Sequence, residues 1–391
     1  MKGHIRKRGE NSWAIVVDLG PDPETGKRRR QWQTVKGTKR DAERVRREIL
    51  HSIETGTHVK PIKMTVGQFL NQWLEDYVAI NTAPKTAEGY RVIVNRHLIP
   101  NLGAILLTQL QPSHLQGYYT RALSHGRVDG KGGLSARTVL HIHRVISEAL
   151  THAAEWQMVA RNIAMAVKPP RPRQPQITTL AQEEVGVFLS EAAASPYYDL
   201  FYTALYTGMR RGELLGLRWK DIDLDLAQLS VSQTIQRIPG KGFVIQEPKT
   251  GRSRRSIALS PSVCILLRQR REHQQSESIL LGKAWHDDAL VFGNLDGQPL
   301  DPSTLTHAFR RIVKKAAIPH IRFHDLRHTH ATLMLKQGIH PKIVSERLGH
   351  SNIGITLDTY SHVMPGLQEA AARRFEEDLL GAVENAHSFT P

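Results

Sequence analysis

At 391 residues, 40% of them hydrophobic, the chain is too long for one ordinary core and holds enough apolar material to fill two or three. Lys and Arg number 53 against 37 Asp and Glu, so a formal charge of +16 and a pI near 10.0 call for a polyanionic partner, nucleic acid first. No run of about 18 apolar residues, no N-terminal signal and no strongly basic amphipathic anchor favours a membrane, so a cytoplasmic address follows; the one cysteine, Cys264, excludes a disulfide framework or a Cys-based zinc site within the chain.

The first 60 residues hold 15 Lys or Arg against 8 Asp or Glu, which marks a separate basic module, 1–60. β-rich runs at Trp13–Leu19 and Arg28–Val35 flank Gly20-Pro-Asp-Pro-Glu-Thr-Gly26, so a hairpin with a long loop is expected. A helix over about 38–55 then covers one face of a small three-stranded sheet. Lys27, Arg28, Arg29 and Arg30 and the open strand face suit a DNA groove, a solvated hairpin tip being the alternative.

After a short linker at 61–63, Val66, Phe69, Leu70, Trp73, Leu74 and Tyr77 repeat at helical spacing, and helices are expected at 85–97, 112–124 and 135–156. The interval 126–133 reads as a Gly-rich loop; it lacks the P-loop length and the Ser or Thr after Lys131, so it offers no nucleotide site. A helical domain over 64–167 results. The segment Lys168-Pro-Pro-Arg-Pro-Arg-Gln-Pro175 reads as an extended basic linker, and a third domain, 176–385, follows. That domain starts with helices near 181–193 and 197–206, turns β-rich over 229–259, and is helical thereafter.

Within it, Gly208 ends one helix and Arg210 opens the next, where a guanidinium can join a helix N-terminus in holding phosphate; Glu213, three residues on, could orient an Arg, or the pair is a surface ion pair. Gln246–Ile257 reads as two strands joined by a basic turn with Lys249 at its tip, and Arg252, Arg254 and Arg255 read as phosphate contacts or solvated charges. In Phe323-His-Asp-Leu-Arg-His-Thr-His330, His324 and Arg327 share a helical face and can address one phosphate. His324 and His328 also have zinc-face spacing, but the chain lacks the HExxH arrangement, so His328 and His330 read as packing or hydrogen-bonding residues. Asp221, Asp223 and Asp225 alternate with Ile222 and Leu224 and read as a strand edge rather than a metal loop. A short helix, 341–348, ends at Gly349, His350 follows, and Tyr360 lies ten residues later.

Taken together, Arg210, Lys249, His324-x-x-Arg327, Leu-Gly-His350 and Tyr360 resemble the tyrosine recombinase (phage integrase) family in spacing and context over about 180–365. The helical segment resembles that family's core-binding domain and residues 1–60 its arm-binding domain, on weaker motifs. The resemblance implies an α+β, mostly helical fold: a three-stranded sheet plus helix, a helical core-binding (SAM-like) domain and a mixed α/β catalytic domain. It further implies a site-specific enzyme that cuts and rejoins double-stranded DNA at attachment sites through a 3′-phosphotyrosyl bond. That enzyme would act as a tetramer on DNA, integrating or excising a phage or mobile element, and a host bending factor or an excisionase is admitted as accessory partner.

The residues suit that reaction. Arg210 and Arg327 can hold non-bridging phosphate oxygens as charge builds up. Tyrosine, with an ordinary pKa near about 10, needs help to lose its proton, and His324 is the candidate base. His350 can donate to the phosphate and Lys249 protonate the leaving 5′ oxygen. Because the phosphotyrosyl bond conserves energy and cations replace Mg²⁺, no cofactor, nucleotide or metal is expected. Type IB topoisomerase-like relaxation and a non-catalytic DNA-binding role are the rivals. Leu367, Ala371, Phe375 and Leu379 form an apolar stripe that would pack on a neighbouring protomer or on its own domain.

Overall fold

Antiparallel pairing of β1 (Gly3–Gly9), β2 (Ser12–Pro21) and β3 (Arg28–Lys36) forms an N-terminal sheet in the order β1-β2-β3. Strand alternation sends Ile15 and Val17 to one face, where Ala42 and Ile49 of α1 (Lys39–Glu54) bury them. On the other face the register aligns Arg6 with Ala14 and Thr34, and Val16 with Trp32, whose side chain stays 57% exposed. This computed structural model describes residues 3–21, 26, 28–54, 63–173, 177–247, 254–360, 372–373, 375–377 and 379–380, so Lys27 and most of the β2–β3 loop lie outside the described residues. The chain divides into two units, Met1–Gln174 and Pro175–Pro391.

The rest of the first unit is helical around its own core, which runs from Val66 to Val167. Thr65 starts α2 (Val66–Trp73) with a capping box, its hydroxyl accepting from the Gln68 amide while the Gln68 side chain accepts from the Thr65 amide. The helix continues through a wider π-helical turn at Leu74–Val78 into α3 (Ala79–Asn81). The pattern repeats in α4 (Pro84–Ile93), a π-helical turn at Val94–Leu98 and α5 (Ile99–Leu102), so this helix runs past the expected end at 97. α6 (Pro112–His125) and α7 (Ala136–Glu155), the latter capped by Ser135, complete the bundle. No helix among the described residues is long and apolar enough to cross a membrane.

In the second unit α8 (Gln182–Ala192) and α9 (Tyr198–Thr207) pack Phe188 and Phe201 against Phe309 and Phe323 in the main core. α10 (Arg211–Leu215) leads into β4 (Ile222–Asp223) and β5 (Gln228–Ser230), and then β6 (Thr234–Ile238), β7 (Gly242–Gln246) and β8 (Ser256–Ala258). One sheet has the order β4-β5-β8, and β6 pairs with β7 alone. This corrects one expectation: the strands on either side of Lys249, β7 and β8, belong to different sheets, because each satisfies its backbone with an earlier strand. Asp223 sits at the β4 edge, and its Oδ1 accepts the amides of Asp225 and Leu226 to form the turn into β5.

The remaining helices are α11 (Pro261–Leu280), which buries Cys264, α12 (Pro302–Lys315), α13 (Asp325–Lys336), α14 (Pro341–Leu348) and α15 (Ile353–Tyr360). Of the C-terminal stripe, Leu367 and Ala371 lie outside the described residues, while Phe375 and Leu379 are 69% and 51% exposed.

Candidate active site

Three helix ends build the site. α9 stops at Gly208, whose φ of +64° is left-handed and whose Cβ, if present, would meet His330 and Leu348 at 2.7 Å. The glycine therefore lets the chain reverse tightly enough to place Arg210 at the N-cap of α10. His324 occupies the position just before α13, with no capping bond from its side chain, and Arg327 sits in the first turn. α14 begins with Pro341 in its first turn and ends at Gly349, φ +67°, delivering His350.

The C-terminus of α14 gathers arginines. Arg255 Nε donates to the Arg347 carbonyl at 2.7 Å, Arg327 Nη2 to Leu348 at 2.7 Å and Arg210 Nη2 to Gly349 at 3.1 Å, so three successive carbonyls take three guanidiniums. Those carbonyls are the ones a helix leaves unpaired and carry the negative end of its dipole. Arg327 also donates through Nη1 to the Gly208 carbonyl at 2.7 Å, tying α9, α13 and α14 together. Glu213 takes Arg210 Nη1 on Oε1 at 2.8 Å and both Arg255 terminal nitrogens at 3.1 and 2.8 Å. Burial opposes its ionisation, yet Arg255 and Arg210 override that and hold its carboxyl at about 2.

Arg255 is thus neither a solvated charge nor an open phosphate contact: its side chain is 6% exposed and committed to Glu213. The carboxylate that claims it is 42 residues away, which no local pattern announces. Arg254, by contrast, is exposed and pairs with Glu247. Arg347, which sequence reasoning passed over, donates to His330 Nε2 at 3.1 Å and to the carbonyls of Ala258 and Tyr206 at 2.9 and 3.0 Å, fixing the arginine-binding end of α14 in place.

Tyr360, at the end of α15, is 1% exposed, packed with Ala331, Leu335, Val344 and Leu348. Its hydroxyl lies 2.7 Å from His328 Nδ1, so the imidazole meeting the phenol is His328 and not His324. The His324 ring stands edge-on to His328, centroids 5.1 Å apart. His350 Nδ1 lies 2.8 Å from the Thr356 hydroxyl on α15, another partner the sequence did not mark. Arg210, Arg327, His350 and Tyr360 are therefore drawn together around α14, with His324 at the start of α13, and Lys249 lies outside the described residues.

Burial pushes the Tyr360 hydroxyl up to about 12, with Arg327 pulling the other way. Burial and the Arg210 charge bring Arg327 down to about 9, still cationic at neutral pH. Burial, then Arg327 and Arg210, lower His350 to about 4. Desolvation, then His328 and Arg327, lower His324 as well. The cluster thus offers fixed guanidinium donors and neutral imidazoles, suited to holding an anion while a proton moves.

Residues 178–366 match the phage integrase family, and residues 65–123 match the phage integrase N-terminal SAM-like domain. A protein named Tyrosine recombinase XerC-like, from Caldanaerobacter subterraneus subsp. tengcongensis, is 30% identical over 383 residues, 93% of this chain and 95% of that one. The chain belongs to the phage integrase family of tyrosine recombinases. It is accordingly an enzyme that cleaves and rejoins DNA strands. The ICEBs1 integrase of Bacillus subtilis is 25% identical, over 95% of this chain and 99% of that one. The Tn1549 transposon integrase, solved in complex with circular intermediate DNA, superposes with a TM-score of 0.66 at 25% identity, covering 80% of this chain and 100% of the other.

Two outcomes follow for this recombinase. Gly349→Ala puts a Cβ 2.9 Å from Arg255 Cδ at a left-handed φ, so it should cost roughly 1–2 kcal/mol of stability from the backbone alone and slow cleavage by shifting the carbonyl row. Denaturant unfolding with an unchanged midpoint would contradict this. The second concerns pH. His330, buried beside Arg347, is held at about 3 and His350 at about 4, both below the ordinary 6.5. Between pH 6.5 and about 5 the unfolded chain takes up protons that these folded imidazoles refuse, so stability is present above the ordinary value and falls as pH drops. The thermal midpoint should decline across that window, before most carboxylates titrate; a flat midpoint would refute the assignment.

Proposed function

We propose that this chain is a site-specific integrase that joins DNA to Tyr360 through a 3′-phosphotyrosyl bond and inserts or excises a phage or other mobile element. The observation that carries the reading is the meeting of Arg210, Arg327, His350 and Tyr360 at the C-terminus of α14. A guanidinium has five N–H donors, and Arg210 and Arg327 each spend two groups on protein oxygens, leaving donors for the two non-bridging oxygens of a phosphodiester. Tyr360 is the nucleophile, His324 contacts the phosphate with His350 instead of serving as the base that the sequence suggests, since His328 meets the phenol, and Lys249 protonates the leaving 5′ oxygen. Exchange between two duplexes needs four strand cuts, hence four copies on paired attachment sites, with a bending factor or an excisionase as accessory partner. Residues 1–60 serve as the arm-type DNA-binding domain, 64–167 as the core-binding domain and 176–385 as the catalytic domain.

Strand exchange tests this reading. Labelled duplexes carrying the element ends and the chromosomal target are mixed with the protein in a metal chelator without nucleotide. Recombinant duplexes are the expected product. Relaxation of a supercoiled plasmid with no exchange would instead indicate a topoisomerase, and binding with neither activity a DNA-binding protein.

A further inference from the structure

Nothing in the reaction described so far uses His328, yet it touches the reacting atom. We propose that His328 is the base that takes the phenolic proton of Tyr360, an inference that rests on Tyr360 being the nucleophile. The hydroxyl and Nδ1 are 2.7 Å apart, within the reach that proton transfer needs. Burial lowers the His328 pKa, so the ring is neutral and free to accept, while Asp325 opposes that shift and steadies the imidazolium once it forms. The groups facing His328 are His324, Asp325 and Arg327 beside it, Arg322 in the preceding loop, Tyr360 on α15 and His350 after α14. Asp325 is itself held by three hydrogen bonds from Arg322, at 2.7, 3.1 and 2.8 Å, so its charge is fixed in place.

In the step, the phenolic oxygen bonds to phosphorus, the bond from phosphorus to the 5′ oxygen breaks, and the phenolic proton passes to Nδ1. The departing oxygen takes its proton from Lys249. Resealing runs the same transfers backwards, so His328 ends neutral. No further reactant is required.

A nicked duplex with sulfur in place of the bridging 5′ oxygen separates this role from that of the acid, because a thiolate leaves without a proton. On it, Lys249→Ala should recover adduct formation. His328→Asn, which keeps a hydrogen-bonding group but cannot carry the proton, should stay about 100-fold or more below the unaltered chain on both the oxygen and sulfur duplexes. Its rate should climb with hydroxide concentration, whereas that of the unaltered chain stays level above neutral pH. His328→Gln is the second variant, and retained duplex affinity identifies a folded protein. A variant as fast as the unaltered chain, or recovered by sulfur, overturns the assignment; so does a faster one, which would mean the contact merely stows the tyrosine. If neither variant folds, a hydroxide-proportional rate in the unaltered chain overturns it and a level one supports it. Failure of the unaltered chain to form any adduct would instead refute the nucleophile, and this assignment with it.

Discussion

Tyr360→Phe should bind DNA as tightly as the unaltered chain and form no covalent adduct at all. The ring lies 1% exposed among Ala331, Leu335, Val344 and Leu348, and phenylalanine fills that space equally well. Only the hydroxyl and its 2.7 Å contact with His328 are lost, which costs folding on the order of 1 kcal/mol. The effect on chemistry is expected to be total, because the oxygen removed is the one proposed to form the bond. An adduct at undiminished yield would place the nucleophile elsewhere.

Arg327→Lys is the second large effect. The guanidinium reaches the Gly208 and Leu348 carbonyls with separate nitrogens, both at 2.7 Å, and keeps further N–H groups for a phosphate. An ammonium has three donors at one point and cannot span the two carbonyls while reaching an anion. Cleavage is therefore expected to fall by about 100- to 1000-fold, the usual cost of a lost transition-state donor. Duplex affinity should change little, since the charge remains. Single-turnover cleavage measured beside equilibrium binding distinguishes the two, and an equal loss in both would mean that Arg327 only helps hold DNA.

Much of this architecture follows from local pattern. The stripe from Val66 to Tyr77, the cap at Ser135 and the Pro341-to-Gly349 helix are written at the spacing of a single turn, so periodicity and capping chemistry find them. The π-helical turns at Leu74–Val78 and Val94–Leu98 are not, because one extra residue per turn leaves an apolar stripe almost unchanged. Strand partners are a long-range matter: β8 finds β5 across 28 residues, so β7 and β8, which read locally as two strands joined by a basic turn, lie in different sheets. At the site, Arg210, His324, Arg327, His350 and Tyr360 stand out through their order and spacing, which resemble those of tyrosine recombinases; no single turn or cap marks them. What holds them does not stand out. Arg255 and Arg347 look like any basic residues in the sequence and acquire partners only when α9, α13 and α14 converge. The sequence marks His328 only as a packing or hydrogen-bonding residue, and its contact with a residue 32 positions away emerges only from the folded chain.

The most direct test incubates the unaltered protein with a nicked duplex built from DNA flanking its gene, so that cleavage releases a short strand and traps the intermediate. Denaturing electrophoresis followed by peptide mapping then locates the attached nucleotide. The expected result is a covalent product with the 3′ phosphate on Tyr360. A duplex bound tightly but never joined to the protein, or joined through any other residue, would contradict it.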